Sequence, residues 1–199
     1  MVESTQMNGD RWRLNAKPDF EGTEESCMEW ILAEKEHLEA LGAMTEAAKA
    51  QLKRMGVDQW QKGYPSEATW RSDIEQGISR VAVENGEVLC AFMFQTAPEA
   101  AYAKINGAWL TDGAPYASLH RVCVAEHCKG KGVAGELFRY AFELAKQAGC
   151  PSVRIDTHEG NLPMRRALEK AGFSLCGRIT LIGGSEDGDP RLAYEFVLK

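Results

Sequence analysis

A strand pattern that runs into a glycine-rich turn and then into a helix pattern restricts the fold of this chain more than any other feature. The segment YASLHRVCVA (116–125) is typical of a strand, and EHCKGKGVAGELF (126–138) places three glycines and two lysines after it. Apolar residues then recur at helical spacing from Val133 to Ala148, before Gly149. The first N–H groups of a helix lack partners within it and, with the helix dipole, attract anions. The turn alone leaves two interpretations open, a phosphate cradle and an ordinary tight turn.

Further strand and helix patterns flank this segment and predict a mixed α/β fold. An Asn-Gly turn joins two strand patterns over residues 78–96, which is a strong hairpin signal. The helix is followed by a strand (151–158), a second helix with Asn161 as N-cap candidate, and two closing strands (173–182 and 191–199). Because these elements require both antiparallel and parallel pairs, we predict a mixed central sheet flanked by helices.

The region before the hairpin is predicted to be largely helical. Apolar residues recur at threes and fours over about residues 26–55, and Gly42 is the expected break between two helices. Ser66 can cap a short helix that begins near Glu67. RWRLNA (11–16) is the candidate first strand.

Composition and charge exclude several classes of function. The 199 residues are 44% hydrophobic and 26% charged, which is typical of a globular protein, and we predict one domain over residues 1–199 with a mobile polar tail at residues 1–10. A formal net charge of −6 provides no basic surface for a nucleic acid. No apolar run reaches the ~18 residues of a membrane span, and the N-terminus lacks a signal-peptide pattern. We therefore expect a cytoplasmic protein that does not insert into a membrane.

The six cysteines indicate neither disulfides nor a metal site. None of them forms a CxxC pair, and most lie within apolar strand or helix patterns. They are best interpreted as small buried residues in a reducing compartment. No metal cofactor is predicted.

Two well-known phosphate-binding motifs do not fit the glycine turn. A P-loop requires Ser or Thr after its Gly-Lys pair, whereas Lys131 is followed by Gly-Val-Ala. A dinucleotide-binding fingerprint requires a glycine spacing that the turn lacks.

The turn instead resembles the acetyl-CoA-binding motif of the GNAT N-acetyltransferase superfamily. That motif reads Arg or Gln, two residues, Gly, any residue, and Gly or Ala; the run KGKGVA (129–134) matches it with Lys in the first position. A second family motif, an Asn and then a helix ending in Lys, one residue, Gly and Phe, is matched by Asn161, Lys170, Gly172 and Phe173. The resemblance is strongest over residues 78–199, and the chain is similar to a group of bacterial family members.

The resemblance implies acetyl-CoA as co-substrate and a set of contacts to it. Backbone amides of the turn would bind its pyrophosphate, in agreement with the helix-start argument. Main-chain groups of the preceding strand would pair with the pantetheine arm like an added strand, and Asn161 would contact the arm from the other side. The implied cofactor-binding residues are Val122, Val124, Lys129, Gly130, Lys131, Gly132, Ala134, Gly135 and Asn161.

The acid that protonates the departing thiolate is less well defined. Many family members place a Tyr seven residues after the motif Asn, and this chain has Leu168 there. Tyr194, Tyr116 and Tyr140 are conceivable replacements, of which Tyr140 is expected to pack in a helix. We keep Tyr194 as the candidate.

His120 is the candidate base. A histidine with an ordinary pKa of about 6.5 exchanges protons near neutrality. Strand alternation would place Ser118, His120, Val122 and Val124 on one side of the strand that precedes the turn. A structural role for His120 remains equally open.

The sequence therefore predicts an N-acetyltransferase that transfers the acetyl group of acetyl-CoA to a primary amine of a small molecule or protein, by direct attack in a ternary complex. The alternatives are a CoA-binding protein with little or no catalysis, which Leu168 favours, and an acyltransferase for a longer acyl-CoA. Homodimers are common in the family. The residues available to cover the acceptor are Trp60, Tyr64, Trp109 and Tyr116 and the loop residues Glu186, Asp187 and Asp189. Any exposed hairpin loop has a similar composition, so the sequence does not name the acceptor.

Overall fold

The computed structural model describes residues 28–199 and the backbone of two short strands, Gln6–Asn8 and Arg11–Arg13. The second strand falls within the segment 11–16 predicted as the first strand. The tail predicted for residues 1–10 otherwise lies outside the described residues.

Ten strands and four α-helices make up this part of the chain. The strands are β1 (Gln6–Asn8), β2 (Arg11–Arg13), β3 (Glu29–Leu32), β4 (Ser79–Glu84), β5 (Glu87–Gln95), β6 (Asn106–Gly107), β7 (Ala117–Val124), β8 (Ser152–Thr157), β9 (Ser174–Thr180) and β10 (Pro190–Val197). The helices are α1 (Leu38–Arg54), α2 (Glu67–Glu75), α3 (Val133–Gln147) and α4 (Leu162–Lys170). Short 3-10 turns occupy Lys35–His37, Ala100–Ala103 and Glu126–Cys128.

The strands form one sheet in the order β1-β2-β3-β4-β5-β7-β8-β10-β9-β6. Strands β7 and β8 run parallel, and the other pairs in the described residues are antiparallel. Helix α1 packs on α2, β5 and β7, whereas α3 packs on α4, β5, β7 and β8. The predicted mixed sheet flanked by helices is confirmed.

The helix predicted over residues 26–55 is wrong in its first part. Residues Glu29–Leu32 form β3, which pairs with β4 so that Trp30 lies opposite Ala82. Trp30 is 1% exposed and stacks on Tyr140 of α3 with ring centroids 4.5 Å apart, so burial against the sheet and α3 favours the strand. Periodicity alone does not separate a short apolar strand from the start of a helix.

The expected break at Gly42 is also wrong, because α1 is continuous from Leu38 to Arg54. A glycine inside a helix costs only about 1 kcal/mol relative to alanine, which packing overrides. The hairpin turn at Asn85 and Gly86 and the caps by Ser66 and Asn161 are confirmed.

Strands β7 and β8 separate in the middle of the sheet. They pair only at Ala117–Leu119 with Val153–Ile155, and beyond Leu119 strand β7 pairs with β5 alone. One backbone edge of β7 is therefore left without a strand partner within the described sheet.

Strand β7 also contains a β-bulge. Met93 pairs with His120 and Ala91 with Cys123, so Arg121 and Val122 together oppose Phe92. Arg121 has a φ of 54°, which is rare for a residue with a side chain. The regular alternation predicted from Ser118 to Val124 is interrupted at this point, and that part of the prediction is wrong.

Candidate functional site

A cavity of about 1280 Å³ follows the line along which β7 and β8 separate. Its walls come from eight parts of the fold besides the turn before α3: α1, the loop between α1 and α2, β5 with the segment that follows it, β7, α3, β8, α4 and the loop between β9 and β10. Most of the predicted cofactor residues lie on these walls: Val122, Val124, Lys129, Gly130, Gly132, Ala134, Gly135 and Asn161.

The glycine turn presents free backbone donors to this cavity. Gly130 and Gly132 have φ values of 79° and 88°, a region that favours glycine. No atom lies within 4 Å of where a Cβ would stand on Gly130, Gly132 or Gly135, so the space beside them is open. Within the described residues, the amides of Gly130, Gly132 and Ala134 have no protein acceptor, whereas the Gly135 amide donates to Gly132 O at 2.8 Å. The turn fits an anion such as a diphosphate.

The two lysines of the turn lie in different places. Lys129 Nζ donates to Gln51 Oε1 at 2.5 Å and to Glu126 Oε2 at 2.6 Å, and its residue lines the cavity. Lys131 is exposed and is not a wall residue, so the structure supplies no contact for its predicted cofactor role.

The cavity wall opposite β7 is formed by the end of β8 and the start of α4. Asn161 Oδ1 caps α4 by accepting from the Met164 amide at 3.3 Å. Asn161 Nδ2 donates to Gln59 Oε1 at 3.2 Å, and Gln59 also lines the cavity. Gln59 lies in the loop between α1 and α2, and no sequence pattern predicted that this residue would line the cavity.

An acid–base group lies where β7 and β8 part. His120 Nε2 is 2.5 Å from Glu99 Oε1, and His120 Nδ1 is 4.0 Å from Asp156 Oδ2. Asp156 Oδ2 accepts from the Tyr102 hydroxyl at 2.9 Å. His120, Glu99 and Asp156 all line the cavity, so the structure brings the predicted base His120 together with two carboxylates.

These groups shift each other's pKa values. Burial would raise the pKa of Glu99, but the hydrogen bond from His120 and its charge outweigh burial and hold that pKa at about 2. Burial would lower the pKa of His120, but the hydrogen bond to Glu99 and the Glu99 charge outweigh burial and raise it. Burial raises the pKa of Asp156, which the charge of His120 only partly offsets. Glu99 is therefore ionised, and His120 donates to it from Nε2.

Neither Glu99 nor Asp156 was predicted from the sequence. Glu99 lies in the irregular segment between β5 and β7, where local patterns carry no signal for a partner of His120. Asp156 follows Arg154 by two residues on β8, and Arg154 pairs with Ser118, two residues before His120. Strand alternation on a known β7–β8 pairing would have found Asp156.

None of the tyrosines considered as the acid is itself a wall residue of the cavity. Tyr194 is fully buried, and its hydroxyl accepts from Arg165 Nε at 3.3 Å. The Tyr116 hydroxyl accepts from the Glu99 amide at 2.8 Å, and Tyr116 is not a wall residue of the cavity. Tyr140 packs on Trp30 as expected, and Leu168 is fully buried.

The residues considered for the acceptor side divide into three groups. Trp60, Tyr64 and Glu186 line the cavity, and the Trp60 amide donates to Glu186 Oε1 at 2.5 Å. Trp109 and Tyr116 instead stack on the Arg154 guanidinium, 4.2 and 4.0 Å from their ring centres. Asp189 pairs with Lys62, and Asp187 accepts from the Gly183 amide. Glu186 is only 6% exposed, although the loop composition indicated a solvated segment.

Other features bear on the cysteine and membrane predictions. The five cysteines within residues 28–199 are free, and burial raises the pKa of the Cys123 thiol to about 12. Across the described residues, no cluster of His, Cys, Asp and Glu is arranged to hold a metal ion. None of the helices described is both long and apolar enough to cross a bilayer.

One cavity thus contains an open anion cradle at a helix start, the gap between two separating parallel strands, and an acid–base group. These features fit an acyl-CoA-dependent acyltransferase. The particular family follows from the sequence as a whole. The chain belongs to the acetyltransferase (GNAT) family, whose model matches residues 46–173. Members of this family bind acetyl-CoA or CoA.

Solved structures show the same fold. A GNAT-family acetyltransferase from Streptococcus agalactiae is 30% identical, with a TM-score of 0.76 over 86% of this chain and 96% of that one. A GNAT-family acetyltransferase from Listeria monocytogenes has a TM-score of 0.63 at 18% identity, over 87% of this chain and 96% of that one. A chain of the NatC complex bound to Gag peptide and CoA has a TM-score of 0.58 at 12% identity, over 86% and 99%. No curated protein sequence matches the chain.

Proposed function

We propose that this protein transfers the acetyl group of acetyl-CoA to a primary amine. The supporting observation is that one cavity joins the open glycine turn to the His120–Glu99–Asp156 group along the free edge of β7. A ligand with a diphosphate at one end and a thioester at the other would span these two features.

The cofactor end uses backbone groups. The free amides of Gly130, Gly132 and Ala134 would bind the diphosphate, and the helix dipole of α3 adds to their attraction. Main-chain groups of Val122 and Val124 would pair with the arm as a partner strand would. Bound acetyl-CoA supplies an activated acetyl thioester.

At the acceptor end, His120 takes the proton from the incoming ammonium. Its Nε2–H is held by the Glu99 carboxylate, so the neutral imidazole has its lone pair on Nδ1, on the Asp156 side. Glu99 stabilises the imidazolium that forms, as a carboxylate does in a catalytic triad. Among the described residues, no Lys or Arg forms an ion pair with Asp156, and its charge would attract the ammonium.

The proton balance of acetyl transfer does not require a tyrosine at the position that Leu168 occupies. The amine nitrogen forms the new C–N bond as the C–S bond breaks and the electron pair leaves with sulfur. An ammonium loses one proton to His120 before attack and a second after it, and the second neutralises the thiolate. Tyr194, fully buried and bonded by Arg165, has no part in the proposal.

Thiol release from acetyl-CoA over a panel of small amines and amino-terminal peptides tests the proposal. We expect turnover with at least one amine, and we expect His120→Gln to reduce kcat by roughly 100-fold or more, the range of general-base catalysis, with unchanged acetyl-CoA affinity. Acetyl-CoA raises the Tm of any protein that binds it, so thermal shift reports binding separately. Binding without turnover of any amine would favour a CoA-binding protein, and a larger shift with a longer acyl-CoA would contradict acetyl as the group transferred.

A further inference from the structure

Gln59 contacts the end of β8 and the start of α4 from a loop that is distant in sequence. It lies in the loop between α1 and α2 and is 8% exposed, yet it lines the cavity. Its Oε1 faces three donors from another part of the chain: Thr157 Oγ1 at 3.4 Å, the His158 amide at 3.3 Å and Asn161 Nδ2 at 3.2 Å. All three belong to the end of β8 and the start of α4.

These contacts fix the orientation of the Gln59 carboxamide. A backbone N–H and a side-chain NH₂ can only donate, so the atom facing them must be the carbonyl oxygen. The NH₂ group of Gln59 then points away from the three donors. Within the described residues, Nε2 has no acceptor, and it is not among the fully buried unpartnered side-chain atoms. The NH₂ group is therefore accessible, and its residue lines the cavity.

Gln59 lines the cavity in which an acyl-CoA arm would lie. Val122 and Val124 line one side of the separated strands, and the β8 end that holds Gln59 lines the other. An arm that pairs with the free edge of β7 passes through this gap. The arm of CoA contains two amide groups, whose carbonyl oxygens accept hydrogen bonds from an NH₂ group.

We propose that Gln59 is an additional cofactor-binding residue, which donates from Nε2 to an amide carbonyl of the acyl-CoA arm. This inference rests on the proposed use of acetyl-CoA. The three hydrogen bonds to Oε1 hold the NH₂ group in place before the ligand arrives, so little side-chain entropy is lost on binding.

Two substitutions separate donation to the ligand from anchoring of the loop. Gln59→Glu keeps an oxygen for Thr157, His158 and Asn161 but has no N–H to donate, whereas Gln59→Ala loses both. Isothermal titration with acetyl-CoA should show a loss of affinity of roughly 5- to 10-fold for each variant, the value of one neutral hydrogen bond. Gln76→Glu, at the exposed end of α2, is the control and should bind as the wild type does.

The outcomes are distinct. Wild-type affinity in Gln59→Glu would overturn the proposal, because it would show that only the anchoring oxygen matters. Adenosine 3′,5′-bisphosphate lacks the arm, and an equal loss of its affinity would also overturn the proposal by showing a general change of the site. Failure of the wild type to bind acetyl-CoA would instead refute the proposed function. Thermal unfolding without ligand confirms that each variant is folded.

Discussion

At the scale of single residues, the two carboxyl groups beside His120 lie in different electrostatic environments. Glu99 is stabilised as a carboxylate by His120, with its pKa at about 2, while burial raises the pKa of Asp156. Divergent pKa values in one cleft are typical of catalytic sites. The groups around His120 are Glu99, Asp156, Arg121 and the ring of Tyr102, with ring centroids 6.2 Å apart.

Glu99→Gln tests the coupling to His120. The wild-type pKa of His120 is raised, and the base works only when unprotonated, so activity should fall as pH decreases through this raised value. Removing the Glu99 charge lowers the pKa of His120, and the acid limb of the kcat/KM profile should move to lower pH while kcat itself decreases. Glu126→Gln, on the exposed turn, should leave the profile in place. An acid limb at the same pH in Glu99→Gln would exclude His120 as the titrating base.

Asp156→Asn should stabilise the folded protein but reduce its catalytic activity. A carboxylate whose pKa is raised in the folded state lowers stability once the pH exceeds its unfolded value, so at neutral pH its removal is favourable. We expect a Tm higher by roughly 2 °C or more, which is about 1 kcal/mol for a chain of this length, together with weaker amine turnover. Tyr102→Phe, which removes the donor to Asp156, should lower the Tm instead. A lower Tm in both variants would contradict the assignment of Asp156 as a costly buried charge.

At the scale of elements, the separation of β7 from β8 and the start of α3 create the cavity together. The parallel pairing ends at Leu119 and Ile155, and the turn before α3 then places free amides beside the open edge of β7. The bulge at Arg121 lies between these two features. Arg121 is held there by Asp73, with contacts of 2.7 and 2.9 Å, and by the Tyr64 hydroxyl at 2.6 Å.

Alanine substitution at two glycines separates an effect on cofactor binding at the turn from an effect on helix stability alone. Gly132 has a φ of 88° and lines the cavity, so Gly132→Ala should both cost about 1 kcal/mol of stability and place a methyl group in the space for the diphosphate. Gly42 lies inside α1, and no atom lies within 4 Å of where its Cβ would stand, so Gly42→Ala should add up to about 1 kcal/mol. Chemical denaturation measures both, and titration with acetyl-CoA should show lost affinity only for Gly132→Ala. Equal affinity in the two variants would argue against the cradle.

The sequence was sufficient for elements whose signals are local. The turn before α3, the Asn85-Gly86 hairpin and the Asn161 cap each depend on residues within a few positions of one another. It was insufficient where a contact spans the chain: β3 is a strand because Trp30 packs on the distant Tyr140, and Glu99 meets His120 only through the fold. The bulge at Arg121 likewise depends on Asp73 in α2. The residues predicted to bind the cofactor therefore line one cavity, apart from Lys131, whereas the partners of His120 were not predicted.

At the scale of the whole molecule, two segments that are distant in sequence meet beside the cavity. The loop between α1 and α2 contacts the loop between β9 and β10 through Trp60 to Glu186 and Lys62 to Asp189. Glu186 also pairs with Arg191, which is 1% exposed, at 3.1 Å. The same loop carries Gln59 to the cofactor side, so it links both ends of the proposed ternary complex.

Glu186 and Lys62 each form an ion pair in this region, with Arg191 of β10 and with Asp189, and the two pairs should contribute very differently to stability. Glu186→Gln keeps an oxygen for the Trp60 amide but leaves Arg191 buried without its main counter-charge, which costs roughly 3 kcal/mol or more for a broken buried pair. Asp189 Oδ2, 3.8 Å from Arg191, keeps the loss near the lower end of that range. Lys62→Met removes a solvent-exposed cation, and such pairs contribute little, so its unfolding curve should overlie that of the wild type. Because Glu186 also holds the Trp60 segment over the cavity, Glu186→Gln should raise the KM for the amine more than that for acetyl-CoA. Equal unfolding midpoints for the two variants would show that the buried pair stabilises the protein no more than the exposed one does.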